Sequence, residues 1–201
     1  LLDNGLLRAD RERIDGQPRF TLLLTVREFA AEQLSSSGEA AAVTTRFLDL
    51  ALETATLGDP VVCRDAPGRW PELLVEARNL QKAARLLLET GDWRGFTVLA
   101  WGTFHWIYRF GDMRVFASWA EQALAQAGDP QSDGDRAAAA RLRSGVSWAR
   151  FLLGDVAGSL AVQEPLDLDV VAASDPACAA LLLNSRALGL LQADGGAEAR
   201  D

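Results

Sequence analysis

Three short stretches constrain this chain more than anything else in it: TGDW at 90–93, FGDM at 110–113 and LGDV at 153–156. Each follows an apolar segment of helical spacing and opens another. Glycine can take the left-handed conformation that ends a helix, and the aspartate behind it can cap the next one. That recurrence predicts antiparallel helix hairpins joined by tight turns. The longer polar loop AGDPQSDGD at 127–135 separates two of them.

The neighbouring segments agree. A helix is expected from about Thr25 to Leu34, with Val26, Phe29, Ala30 and Leu34 on one face and Ser35-Ser36-Ser37-Gly38 as its end. A second runs from about Glu39 to Leu57 with Val43, Phe47, Leu50 and Thr54 on one face, broken by Gly58-Asp59-Pro60 and a loop to Trp70. A third covers Pro71 to Glu89, where Leu73, Ala77, Leu80, Ala84 and Leu87 follow spacings of four and three,. Before them, residues 1 to 24 read as a short helix, with Leu1, Leu2, Leu6 and Leu7 apolar, and then a β-hairpin. RADRERI (8–14) and PRFTLLL (18–24) flank Asp15-Gly16, whose residues tolerate the positive φ of a tight hairpin turn,. Two strands alone are marginal in water, so the hairpin must lean on helices.

The last third repeats itself. SWARFLLGDVAGSLA (147–161) lies over ALGLLQADGGAEARD (187–201) at an offset of 40 residues. The overlay matches Ser147 with Ala187, Ser159 with Ala199, and the turn Gly154-Asp155 with Asp194-Gly195. Small residues at this spacing let paired helices approach closely, as in a helical repeat. The second copy stops at Asp201, and the opening LLDNGLLR has no start methionine. The expectation is a piece cut at both ends from a longer polypeptide.

Composition limits the function classes. The 201 residues carry a formal net charge of -8 and a single lysine, Lys82, which argues against holding a phosphate backbone. No apolar run approaches the roughly 18 residues that span a bilayer. Charges from Asp3 onward argue against a signal peptide. Cys63 and Cys178, far apart, suit a reducing compartment, so a cytoplasmic protein with neither nucleic acid nor membrane as partner is expected.

Reactive constellations are scarce. There is no GxxxxGK[ST], and no GxGxxG opens a helix after a strand. His105, in WGTFHWIYR, is the only histidine, so neither a histidine triad nor a zinc site has its partners. The chain is therefore expected not to be an enzyme; turnover lost on replacing His105 would revive that class. His105 reads as a core or groove-edge residue, or else as a proton switch. The aromatic run from Trp93 to Trp119 is either plain core or the cage of a ligand. Its members Trp101, Phe104, His105, Trp106, Tyr108 and Trp119 form the candidate ligand or partner surface. DLD at 167–169 reads as a solvated loop or a cation site. Arg11 and Arg13 on the hairpin sit among Asp10, Glu12 and Asp15, as on an exposed mixed-charge strand.

LLDNGLLRAD followed by PRFTLLLTVREFAAEQLSSSGEA resembles the end of the winged-helix module in STAND-class signal-transduction ATPases, bacterial regulators that include SARP-type and LuxR-type transcription activators. Thr25, Val26, Arg27, Glu28, Phe29, Ala30 and Leu34 match the family's run there, and Ser37-Gly38-Glu39-Ala40 its sequel. EARNLQKAARLLLETGD (76–92) is similar to the segment that follows, through Glu76, Asn79, Leu80, Ala83 or Ala84, and Gly91-Asp92. Trp106, Gly111, Trp119 and Leu124 fit its tryptophan–glycine–tryptophan pattern, and the tail resembles degenerate tetratricopeptide (TPR) repeats. The chain departs from the family at Asn4-Gly5, where lysine and serine are usual, and at Arg150, where an aromatic residue is usual.

The resemblance implies a mainly α fold: a TPR-like superhelix of helical hairpins preceded by the β-hairpin wing of a truncated winged-helix module. It divides the chain into 1–36 (end of the winged helix), 37–130 (linker and helix hairpins) and 131–201 (repeats). It places ATP or ADP on an upstream domain and no cofactor in this chain. The implied function is a non-catalytic regulatory module of a transcriptional regulator, coupling a signal or protein partner on the repeats to that ATPase domain. The alternative is a sensor whose aromatic pocket in 93–119 binds a small-molecule inducer.

Overall fold

The computed structural model describes residues 5–10, 19–59 and 70–198. Among them the chain is mainly helical, with one two-stranded antiparallel sheet. Strand β1 (Leu7–Asp10) pairs with β2 (Arg19–Leu22), Leu7 opposite Leu22 and Ala9 opposite Phe20. The expected hairpin is there, although Leu7 belongs to its first strand and not to a leading helix. Leu1, Leu2, Arg11, Arg13 and the Asp15-Gly16 turn lie outside the described residues.

Helix α1 (Leu24–Ser37) starts two residues after β2 and ends, as expected, at Gly38, whose φ of 78° is left-handed. The three serines extend the helix. The Ser36 hydroxyl donates to the Glu32 and Gln33 carbonyls and that of Ser37 to Leu34, so each bonds a carbonyl of the preceding turn,. The expected apolar face is not packed: α1 buries no residue, and Phe29 is 62% exposed.

Helix α2 (Ala40–Thr56) also corrects the sequence reading. Val43 and Leu50 are exposed, and the buried residues are Ala51 and Ala55 with Phe47 and Leu48 beside them. Backbone approach decides this orientation. A Cβ on Gly102 would collide with the Ala55 carbonyl, and one on Gly58 with the Gly102 carbonyl. Only the small-residue side of α2 can sit so close to the helix that carries Gly102.

That helix is α4 (Trp93–Phe110), preceded by α3 (Trp70–Glu89) and followed by α5 (Met113–Ala127), α6 (Asp133–Leu152), α7 (Val156–Ala161), α8 (Leu168–Ser174) and α9 (Pro176–Glu198). In α3 the expected face is buried at Leu73, Leu80, Ala84 and Leu87. The Gly-Asp turns cap as the sequence predicts. Asp92 accepts from the Gly95 amide at 2.9 Å, Asp112 from Arg114 at 2.9 Å, and Asp155 from Gly158 at 2.9 Å. Gly91 and Gly154 are left-handed, with φ of 75° and 86°. Gly111 is not, with φ of -99°; there the backbone passes so near α4 that a Cβ would lie 2.9 Å from the Ile107 Cα.

The repeat overlay fails at its second turn. Helix α9 runs unbroken through Asp194-Gly195 to Glu198. In Gly154-Asp155 the glycine ends one helix and the aspartate caps the next. The order Asp194-Gly195 puts aspartate where the left-handed residue is needed and glycine where the capping side chain is needed. Ala187 is exposed, whereas its supposed match Ser147 is buried.

The main core joins α2, α3, α4, α5 and α6 around Phe96, Leu87, Leu142 and Val146. A second cluster lies on the other side of α4, where Trp101 meets Ala140 of α6, Val171 of α8 and Leu182 of α9. Helix α4 is thus the shared wall of both.

Candidate functional site

Helices α3 and α5 both pack along α4, and small residues decide what lies between them. Ala77 and Ala84 on α3 and Ala100 on α4 leave space that Phe96, Phe116 and Trp119 bound as aromatic walls. At one end α3 and α5 meet: the Gln126 side-chain amide donates to the Leu88 carbonyl at 2.8 Å, and the Arg85 guanidinium lies 5.7 Å from the Trp119 ring. Ala77 and Asp112 line the space away from that contact. The result is a wedge-shaped cavity of about 310 Å³ whose lining is mostly apolar. Ligand sites typically measure about 300–1,000 Å³ and carry a few polar groups on apolar walls.

Polar groups stand mainly at the mouth. Arg78, Gln81 and Asp112 line it and are exposed. Among the described residues Thr103 is the buried polar residue of the interior, and its hydroxyl donates to the Leu99 carbonyl at 2.7 Å.

The sequence candidates fall in different places. Trp119 lines the wedge. Phe104 is core, edge-on to Phe116 with ring centroids 5.6 Å apart. Trp101 faces the other way, into the second cluster, with the Arg141 guanidinium 5.0 Å above its ring. Arg141 is held there by Asp175, through Nε to Oδ2 at 2.6 Å. The side chains of His105, Trp106 and Tyr108 lie outside the described residues, although α4 runs through them. Sequence reasoning did not single out the α3 side of the wedge: it placed Ala77 and Ala84 on the apolar face of their helix and gave Arg78 and Gln81 no role. The available signal was alanine at both ends of one helix turn pair, opposite a face rich in aromatic residues.

The other candidates have structural occupations. The Asp167 carboxylate of the DLD stretch caps α8, accepting from the Asp169 amide at 3.0 Å and the Val170 amide at 3.2 Å. Among the described residues no group of three or more His, Cys, Asp or Glu could hold a metal ion. No helix among them is long and apolar enough to cross a membrane. Arg150 makes polar ties: both Nε and Nη2 reach Glu121 Oε1, and Nη1 reaches the Gly158 carbonyl at 3.2 Å.

A buried polar knot joins α6, α9 and the α7 end. Gln163 Nε2 donates to Ser147 Oγ at 2.6 Å and to Ser185 Oγ at 3.1 Å. Ser147 donates to Ser185, which donates to the Leu182 carbonyl, so Ser159 must be the donor in its 3.0 Å contact with Ser147. This serves every donor and leaves Gln163 Oε1 as the acceptor without a partner. Turning the amide over would strand two N–H groups instead of one carbonyl, which costs more.

No family model matches the chain. No curated protein and no solved structure matches it either. The wedge is therefore judged on its own geometry: among the described residues its lining is mainly apolar, with Arg78, Gln81 and Asp112 as its exposed polar groups.

Proposed function

We propose that this chain is a non-catalytic regulatory module of a bacterial STAND-type ATPase transcriptional regulator. In this reading its stacked, TPR-like helical hairpins bind a signal and couple occupancy to a nucleotide switch on another domain. The observation that supports it is the wedge between α3, α4 and α5, which has the volume and lining of a small-molecule site,. Coupling has a physical route. Helix α4 lines the wedge on one face and meets α2 through Gly102 on another, and α2 follows α1 and the hairpin. A ligand shifts such a system only by its difference in affinity for the two states. The wedge must therefore differ in width between them.

Titration of the chain with a panel of small metabolites, read by tryptophan fluorescence and thermal unfolding, tests the reading. A responding ligand should be lost in Ala77→Phe, which fills the wedge from a half-buried position; circular dichroism checks that the variant folds. A response that persists in the folded variant contradicts it.

A second reading has its own observation. Phe20, Leu23, Leu24 and Phe29 are exposed on the hairpin and α1, which favours docking of this end on the ATPase domain of the same polypeptide or on a protein partner. Phe29→Ala should then weaken communication in the full-length regulator while its nucleotide binding persists. Loss of nucleotide binding itself would count against it.

A further inference from the structure

The wedge is apolar inside and unevenly polar at its mouth, and that unevenness selects a ligand class. We infer that it takes a small monoanionic amphiphile, an apolar body bearing one carboxylate, with the carboxylate on Arg78 and Gln81 and the body against Phe96, Phe116 and Trp119. The inference rests on the signal-binding reading above.

Arg78 and Gln81 are three residues apart on α3, so they project from the same side of the helix onto one rim,. Neither side chain makes a hydrogen bond or ion pair with another described residue. Asp112, across the mouth, is engaged: its Oδ1 accepts from the Arg114 and Val115 amides at the positive end of α5,. Among the described residues Arg78 is therefore the unengaged charge of the rim. A guanidinium is a planar fork that binds a carboxylate through two parallel hydrogen bonds, and the Gln81 amide adds a donor beside it. Deeper in, the Thr103 hydroxyl is already given to Leu99. Among the described residues no further donor lines that depth, so a second polar group on the ligand would lose its water without a replacement. One polar end and one apolar end is what the lining accepts.

Calorimetric titration with octanoate, octanol and octylamine tests this on the whole chain. Octanoate should bind at one site, and Arg78→Met, which keeps the stem and removes the charge, should weaken it about tenfold. Octanol should bind more weakly than octanoate and ignore Arg78→Met, and octylamine should bind weakest. Arg78 is exposed, so that variant keeps its packing. Octanol binding as tightly as octanoate, or octanoate unmoved by Arg78→Met, overturns the anion assignment while leaving the wedge a ligand site. Tighter octylamine puts Asp112 in the role of Arg78 and overturns it too. If none of the three binds, or if Ala77→Phe leaves their binding unchanged, the signal-binding reading fails together with the inference.

Discussion

Ser147 is fully buried and takes three hydroxyl or amide contacts at once. Replacing it with alanine strands the Ser159 hydroxyl and leaves one Gln163 N–H only its long contact to the Ser159 carbonyl at 3.4 Å. A buried donor left unsatisfied costs about 1–3 kcal/mol, while alanine returns at most about 0.5 kcal/mol of helix propensity. Ser147→Ala should therefore lower stability by about 1–3 kcal/mol in denaturant unfolding. Gln163→Met should cost less, because it removes a partnerless acceptor along with its donors; the reverse order would contradict the donor assignment. Cys178 offers a pH test. Burial, with the Asp175 carboxylate adding to it, pushes its thiol from an ordinary 9.0 up to about 12. Unfolding frees the thiol to ionise at its ordinary value, so the unfolded state gains as pH rises from about 9 to about 12. Wild-type protein should lose more stability than Cys178→Ala between pH 8 and pH 10.5, whereas equal losses would mean the thiol is not shielded.

At the scale of elements, the Gly-Asp turns show what the sequence carries well. Each aspartate caps the helix that its position predicts, and Asp155→Ala should cost about 1 kcal/mol. These features are local, a few residues acting on their own backbone, and so were the hairpin strands and the buried face of α3. What needed the fold was the choice between faces. The sequence reading put Val43, Phe47, Leu50 and Thr54 on the apolar face of α2, and the meeting of Ala55 with Gly102, far along the chain, turned the helix the other way. Gly102→Ala should thus separate α2 from α4 and cost about 1–3 kcal/mol by overpacking. The repeat overlay misled for a related reason. It scored Asp194-Gly195 as equivalent to Gly154-Asp155, although reversing the two residues exchanges the jobs of helix end and cap. Among the described residues the aromatic wall of the candidate site was legible in the run from Trp93 to Trp119, at Phe96, Phe116 and Trp119; its α3 side was not, since a wedge is made by the absence of side-chain volume on one helix opposite aromatic bulk on others.

Across the whole molecule, α4 organises both cores and one wall of the wedge, so occupancy there touches the element on which α2, α3, α5 and α6 all pack. The central claim is that this wedge, and not the aromatic surface as a whole, receives the signal. A crystallographic fragment screen on the chain tests that most directly. The account predicts that bound fragments cluster between α3 and α5, touching Ala77, Thr103 and Trp119, with their acidic groups toward Arg78. Fragments that collect elsewhere while the wedge stays unoccupied would contradict it.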